Sequence, residues 1–373
     1  MAPRSSIKTF RVSSPRATEL YLTAEPAPGE ASAQALQLYK DMAEVLARHG
    51  ARVLQERVFL APGAGRAVAA ARDKAFGAFD DGVPPALLHV LDNANRPVAG
   101  AQVHAAVSDR PLEKVEVDGL PCGRVLRSGD YALMTVLGLS AGEAGAPTDQ
   151  ARMMLQKAER ALAAIGGSML SVARTWMWLA DLLSWYDEFN SVRNDFFRER
   201  KLLNDVSGHK LPASTGIGAA PAGGEACAMD MIAAVGPEEF VQERLLVGGE
   251  QGSAFDYGSA FSRAVRAALP AGSAVYVSGT AAIDRQGRTE HVGDAAGQIT
   301  DTISHVRAVL ETMNCRDEDV IQAIAYCKTQ AVESVFRERR EPSWPWLVAP
   351  CDICRPELLF EVEATAFPGA KLL

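Results

Sequence analysis

Cysteine is scarce in this chain, with six among 373 residues and no crowding. That excludes a disulfide-stapled scaffold and points to reduced thiols. Cys351 and Cys354 form a C-x-x-C, but neither a second such pair nor a pair of histidines accompanies it. No zinc site, no redox pair and no other metal site is therefore expected. No apolar run approaches the roughly 20 residues that a spanning helix needs, so no membrane span is expected. Basic excess is missing too: the net charge is −8, which argues against nucleic acid or anionic membranes as partners. The opening MAPRSSIKTFRVSS lacks the apolar core of a secretory signal, and a cytoplasmic location is expected.

What is present is a repeat and a tail. With a constant offset of 148, Gln150 falls on Gln298, Leu162 on Leu310, Val172 on Val320 and Trp178 on Tyr326. Apolar residues recur at helical spacing in both copies, as Leu155, Ala158, Leu162 and Ile165 and as Ile303, Val306, Leu310 and Met313. Each helix stops at a turn-prone pair, Gly166-Gly167 or Asn314-Cys315, before an apolar strand-like run and a second helix. The copies close on the strands CAMDMIAA and FEVEATA. In the second of these, Glu361 and Glu363 are one residue apart and project from the same face. A carboxylate pair in an apolar strand is costly unless solvent, a partner or a reaction uses it. Taken alone, the pair fits a solvated edge strand as well as a catalytic one.

The expected fold class is α+β, with two fused domains whose mixed sheets carry helices packed on one face. Residues 1–75 are expected as a partly structured N-terminal extension, with a strand near 20–22 and a helix near 35–48. Residues 76–240 make the first domain. Residues 241–373 make the second, running from VQERLLVGG through DYGSAFSRAVRAA and AVYVSGTAAID to the carboxylate tail.

The segment YVSGTAAID, a helix beginning near Gln298 and the final EVEA strand resemble the YjgF/RidA domain. That domain is a small α+β, chorismate mutase-like fold that assembles as trimers with sites between subunits. Two such domains in one chain, ending in CRPELLFEVE, look more specifically like the chorismatases, which release pyruvate from chorismate. The resemblance covers about residues 85–370 and is densest at 257–283 and 351–366. It implies a cleft between the fused domains, a monomer, chorismate as the small-molecule partner and no cofactor. Ala228 stands in CAMDMIAA where the second copy has Glu361, which implies that the first copy has lost its own site.

Chorismate is a dianion whose enol ether must be protonated at its terminal carbon before pyruvate leaves. A neutral carboxylic acid in a dry cleft suits that step, because burial raises a glutamate toward working pH. The resemblance implies this role for Glu361, and for Glu357 a role in orienting the ether or a water, while Glu363 is structural. Cys354, seven residues before Glu361, matches a position that tracks product choice and implies 3-hydroxybenzoate. Two substrate carboxylates call for cations, which arginine supplies bidentately. Arg263 in FSRA and Arg337 in VFRERR are the candidates, although RERR also fits a solvated helix face. Tyr257 in DYGSAF offers a phenolic donor, and Gly279 and Ala281 in SGTA let the backbone approach the ring. Tyr186 and Arg193, seven apart on one helical face, reach the cleft or rim a core. Deaminases of the same superfamily carry an arginine upstream of the final strand. Here SWPWLVAPCDIC offers none before Arg355. A deaminase or other hydrolase of this fold, or a non-catalytic ligand-binding relative, are the alternative readings.

Overall fold

The computed structural model describes residues 4–91, 95–204, 209–237, 240–249 and 251–373. Three mixed sheets share one plan: a hairpin, a helix, a third strand, a second helix, a fourth strand and a closing strand. In each sheet the closing strand inserts between the second hairpin strand and the third strand, and the third and fourth strands run parallel. In the third unit the hairpin is Ala264–Leu269 and Gly272–Ala281, followed by the helix Ala295–Thr312 and the strand Val320–Cys327. The helix Gln330–Arg339, the strand Trp346–Pro350 and the closing strand Phe360–Ala366 complete it.

The second unit repeats this with the hairpin Leu120–Ser128 and Tyr131–Ser140, the helices Pro147–Leu162 and Leu182–Glu199, and the strands Val172–Leu179, Ala213–Ile217 and Cys227–Val235. The α+β class, the fused domains and the one-sided helix packing stand as expected. The chain also holds a third sheet of the same order. It is built from Ser6–Ser13, Thr18–Glu25, Ala51–Leu60, Ala86–His89 and Val98–Val107, with the helices Ala31–His49 and Gly65–Phe76. Residues assigned to an N-terminal extension therefore form most of a first unit. The strand order puts the first unit boundary near 107–113 rather than at 75, while the second, near 235–241, includes the expected one at 240.

Each helical layer covers the outer face of its own sheet and encloses a separate apolar core. The helix Ala295–Thr312 illustrates why these segments are helical. Asp294 caps it by accepting from the Gly297 N–H, and Ile299, Ile303, Val306 and Leu310 make one buried stripe. The three inner faces meet in a fourth core that includes Tyr21, Phe59, Trp178, Tyr276 and Tyr326. With both faces covered, the strands Val172–Leu179, Val320–Cys327 and Phe360–Ala366 are buried along their whole lengths. Each large apolar side chain buried this way contributes about 1.5–3 kcal/mol. Two short strands tie the units together: Ala220–Pro221 joins the edge of the first sheet at Leu88–His89, and Lys371–Leu372 pairs with Phe10 and Arg11.

Candidate active site

Strand alternation divides the tail. Phe360, Val362 and Ala364 enter the helix-covered core of the third unit, so Glu361 and Glu363 face the centre, on one side of the sheet as their spacing requires. Both are buried, at 4% exposure each. Their surroundings differ. Glu363 accepts from Arg174 Nη2 at 2.8 Å and from Trp176 Nε1 at 2.7 Å. The Arg57 and Arg174 guanidinium groups both lie over the Trp176 ring, 3.8 and 4.6 Å from its centre. Glu361 receives no hydrogen bond from any described residue. It opens into a cavity of about 110 Å³ between the second and third units.

Helix Leu182–Glu199 contributes Tyr186, Asp187 and Asn190 to this cavity, and strand Ala213–Ile217 contributes Ser214 and Gly216. The third unit contributes Ser259, Phe261, Arg263, Gly279, Ala281, Ile283, Cys354, Arg355 and Glu361. The junction is held by the Ser214 N–H donating to Ser278 Oγ at 2.8 Å and by Ser262 Oγ donating to the Leu211 carbonyl at 2.7 Å. The Gly279 N–H donates to Thr215 Oγ1 at 3.0 Å, which brings the two backbones together beside the carboxyl group. A Cβ at Gly279 would stand 2.1 Å from Glu361 Oε1, so only glycine leaves the carboxyl group its place.

Burial, with the nearby Glu363 adding to it, pushes Glu361 up to about 8, against the opposing pull of Arg174 and Arg263. At pH 7 the group is thus predominantly a neutral acid with a proton to give. Burial, then Glu361, pushes the Cys354 thiol up to about 12, so it is a thiol and not a nucleophilic thiolate. The Tyr186 phenol is also raised, by burial first and then by Cys354, and remains a donor. Arg263 is buried and anchored through Nε and Nη2 to the Gly252 carbonyl at 3.0 and 2.9 Å. Arg355 donates from Nη1 to the Gly287 carbonyl at 2.6 Å. Arg193 lies behind the wall, with Nη2 2.6 Å from Asn190 Oδ1, and orients that amide.

Residues 252–367 match the family described as endoribonuclease L-PSP. The third unit is a YjgF/RidA-type domain. The crystal structure of a chorismatase covers 85% of this chain and 93% of its own at 21% identity, with a TM-score of 0.62. At that identity the likeness is one of fold. The Escherichia coli YjgF protein (16% identity, TM-score 0.25) covers 34% of this chain and 99% of its own. A YjgF-family member from Mycobacterium tuberculosis (24% identity, TM-score 0.26) likewise covers 34% of this chain and 99% of its own.

In this YjgF/RidA-type domain, five of the residues singled out from sequence meet in the cavity: Glu361, Cys354, Arg263, Gly279 and Ala281. Glu357 does not. Its side chain is exposed, outside the cavity lining, because Phe360–Ala366 begins only after the turn that carries it. Arg337 is also elsewhere. Its Nε binds Glu333 at 2.6 Å and its Nη1 reaches Glu25 of the first unit at 3.3 Å, so it joins the third unit to the first. Arg340 also pairs with Glu25. Tyr257 closes a short helical turn, Ala254–Tyr257, and its side chain lies outside the described residues. Reading the sequence missed Asp187, Asn190, Ser214, Gly216, Ser259 and Phe261 and gave Arg355 no role. The seven-residue spacing of Tyr186 and Arg193 was the available signal for the wall from the second unit.

Proposed function

We propose that the protein is a chorismatase that releases pyruvate from chorismate, with Glu361 as the general acid. The observation that carries this reading is a buried carboxyl group, raised to about 8 and unclaimed by any described hydrogen-bond donor, in a cavity that also presents Arg263 and Arg355. Such an acid transfers its proton to the terminal methylene carbon of the enol ether, giving an oxocarbenium ion. Water adds to that cation and returns a proton to the Glu361 carboxylate, and the hemiketal collapses to pyruvate and a ring alcohol. General acid catalysis of this kind contributes roughly 10²–10⁴-fold. Arg263 and Arg355 supply positive charge for the two substrate carboxylates, with Arg355 taking the place that the sequence suggested for Arg337. The Tyr186 phenol faces the same space as a neutral donor.

Loss of the ring hydroxyl with rearomatisation then gives 3-hydroxybenzoate, the product we favour. The water released offsets the water consumed, so chorismate yields pyruvate and hydroxybenzoate with no net change. Cys354 lines the ring pocket as a small protonated thiol, in keeping with a shaping role. Both cavity walls come from one chain, so the site needs no partner subunit and a cytoplasmic monomer is the simplest working form. The test is to incubate purified protein with chorismate and follow pyruvate and aromatic products by chromatography. Stoichiometric pyruvate with 3-hydroxybenzoate is expected. No pyruvate would overturn the reading, and ammonia released from 2-aminoacrylate would replace it with a deaminase.

A further inference from the structure

Behind the cavity wall, on the helical side of the third unit, Glu290, Asp301 and His305 bring ligand atoms within 4.8 Å of one another. Asp301 and His305 are four apart on helix Ala295–Thr312 and therefore share a face. Glu290 arrives from the preceding loop, where its N–H donates to the Ala282 carbonyl at 2.9 Å. His305 is 4% exposed. Its Nδ1 lies 3.4 Å from the Ala281 carbonyl, which can only accept, so this contact places the proton on Nδ1. Nε2 then faces Asp301 Oδ1 at 3.7 Å, a contact that brings two acceptors together unless a proton or a cation lies between them. Asp301 Oδ2 is buried, its carboxyl group lies against that of Glu290, which burial first and then Asp301 raise above the ordinary value, and neither carboxylate pairs with an arginine or lysine among the described residues.

Unopposed acceptors converging on one point call for a positive centre. Protons answer this charge only piecemeal, one on Nε2 and another shared between Glu290 and Asp301, which after burial raises Glu290. A divalent cation answers all three. Two ligands about 2.1 Å from a shared cation stand about 3.0–3.4 Å apart at octahedral or tetrahedral angles, so closing the Asp301–His305 pair takes only a few tenths of an ångström. An imidazole whose other nitrogen is held by a carbonyl is the usual form of a metal-bound histidine.

We propose that Glu290, Asp301 and His305 form a binding site for a divalent first-row transition cation. One imidazole and two carboxylates suit Zn²⁺ or Mn²⁺ rather than a soft, thiol-seeking ion. Its role is structural: through His305 it braces the Ala281 carbonyl, whose residue lines the catalytic cavity, while the acid step on Glu361 does not involve it.

The test titrates metal-stripped full-length protein with Co²⁺ as a spectroscopic probe, then with Zn²⁺ and Mn²⁺ by calorimetry. One equivalent should bind saturably below millimolar concentration, with d–d bands and no thiolate charge-transfer band, and should raise the melting temperature. Glu290→Gln and Asp301→Asn should each weaken binding by at least roughly tenfold. Both retain the shape of the side chain, so the result does not depend on whether a His305 variant folds. Binding unchanged in both variants, a thiolate band, or no saturable binding would overturn the proposal. The readout is independent of chorismate turnover.

Discussion

The second and third units place different residues at one position of the same sheet. In the third, Glu361 pairs in register with Tyr326, the penultimate residue of its strand. In the second, Ala228 pairs with Trp178, again penultimate, and in the first Gly100 pairs with Phe59. The next position inward holds Glu363, Asp230 and Gln102. One register thus carries a carboxyl group, a methyl group and a hydrogen atom. Ala228 packs into the central core, where Phe59 meets Trp178 edge-on at 5.7 Å. A Cβ at Gly100 would stand 2.6 Å from the Ala24 carbonyl oxygen, so that junction admits no side chain. The comparison teaches that a triplicated fold provides three equivalent positions, and that the acid and the space around it occur together at one of them.

The largest expected effect comes from taking from the third unit the acid that the second lacks. Glu361→Gln keeps the shape and removes the proton, so pyruvate release should fall at least about a hundredfold while the fold persists. Near-normal turnover would remove Glu361 from the chemistry. The same variant sharpens the comparison thermodynamically. The folded value near 8 lies above the ordinary glutamate value, so the folded chain binds the extra proton in between. The stability associated with this proton is complete below the ordinary value and is lost as pH rises through about 8. Melting curves should therefore show Glu361→Gln gaining on the parent as pH increases across that window.

Next in size is Gly279→Ala, which displaces the Glu361 carboxyl group. Misplacement of a reacting group by about 1 Å costs on the order of a hundredfold, and kcat should drop by tens of fold with little change in melting temperature. Arg263→Lys keeps the charge and loses the planar fork, so KM should rise roughly tenfold, as expected for one charge-assisted hydrogen bond. The smallest effect belongs to Arg337→Lys, at the junction of the third unit with the first. KM and kcat should stay unchanged, and a large rise in KM there would move the cleft away from the second unit.

Much of the third unit was legible because its helices carry regular apolar stripes and its tail is short and specific. The offset of 148 placed Trp178 on Tyr326, and these are the residues that pair with Ala228 and Glu361. The first unit was hidden by its own chemistry. Its strand Ala51–Leu60 contains Gln55, Glu56 and Arg57, which look like surface residues yet are at most 3% exposed. Glu56 is satisfied by Tyr39 and Arg72, and Arg57 faces the shared centre beside Asp230 and Trp176. Missing that unit also hid Glu25, the partner that draws Arg337 and Arg340 away from the cavity. Arg355 was overlooked for a related reason: the turn before a closing strand has no periodicity from which to predict where its side chains lead.

The account depends on Glu361 acting as a proton donor, and the pH dependence of kcat/KM for pyruvate release from chorismate tests this directly. A protonated acid raised to about 8 predicts a plateau below that pH and a fall of about tenfold per pH unit above it. A rate that climbs from pH 6 to pH 8 would instead require the Glu361 carboxylate as a base, and would contradict the mechanism.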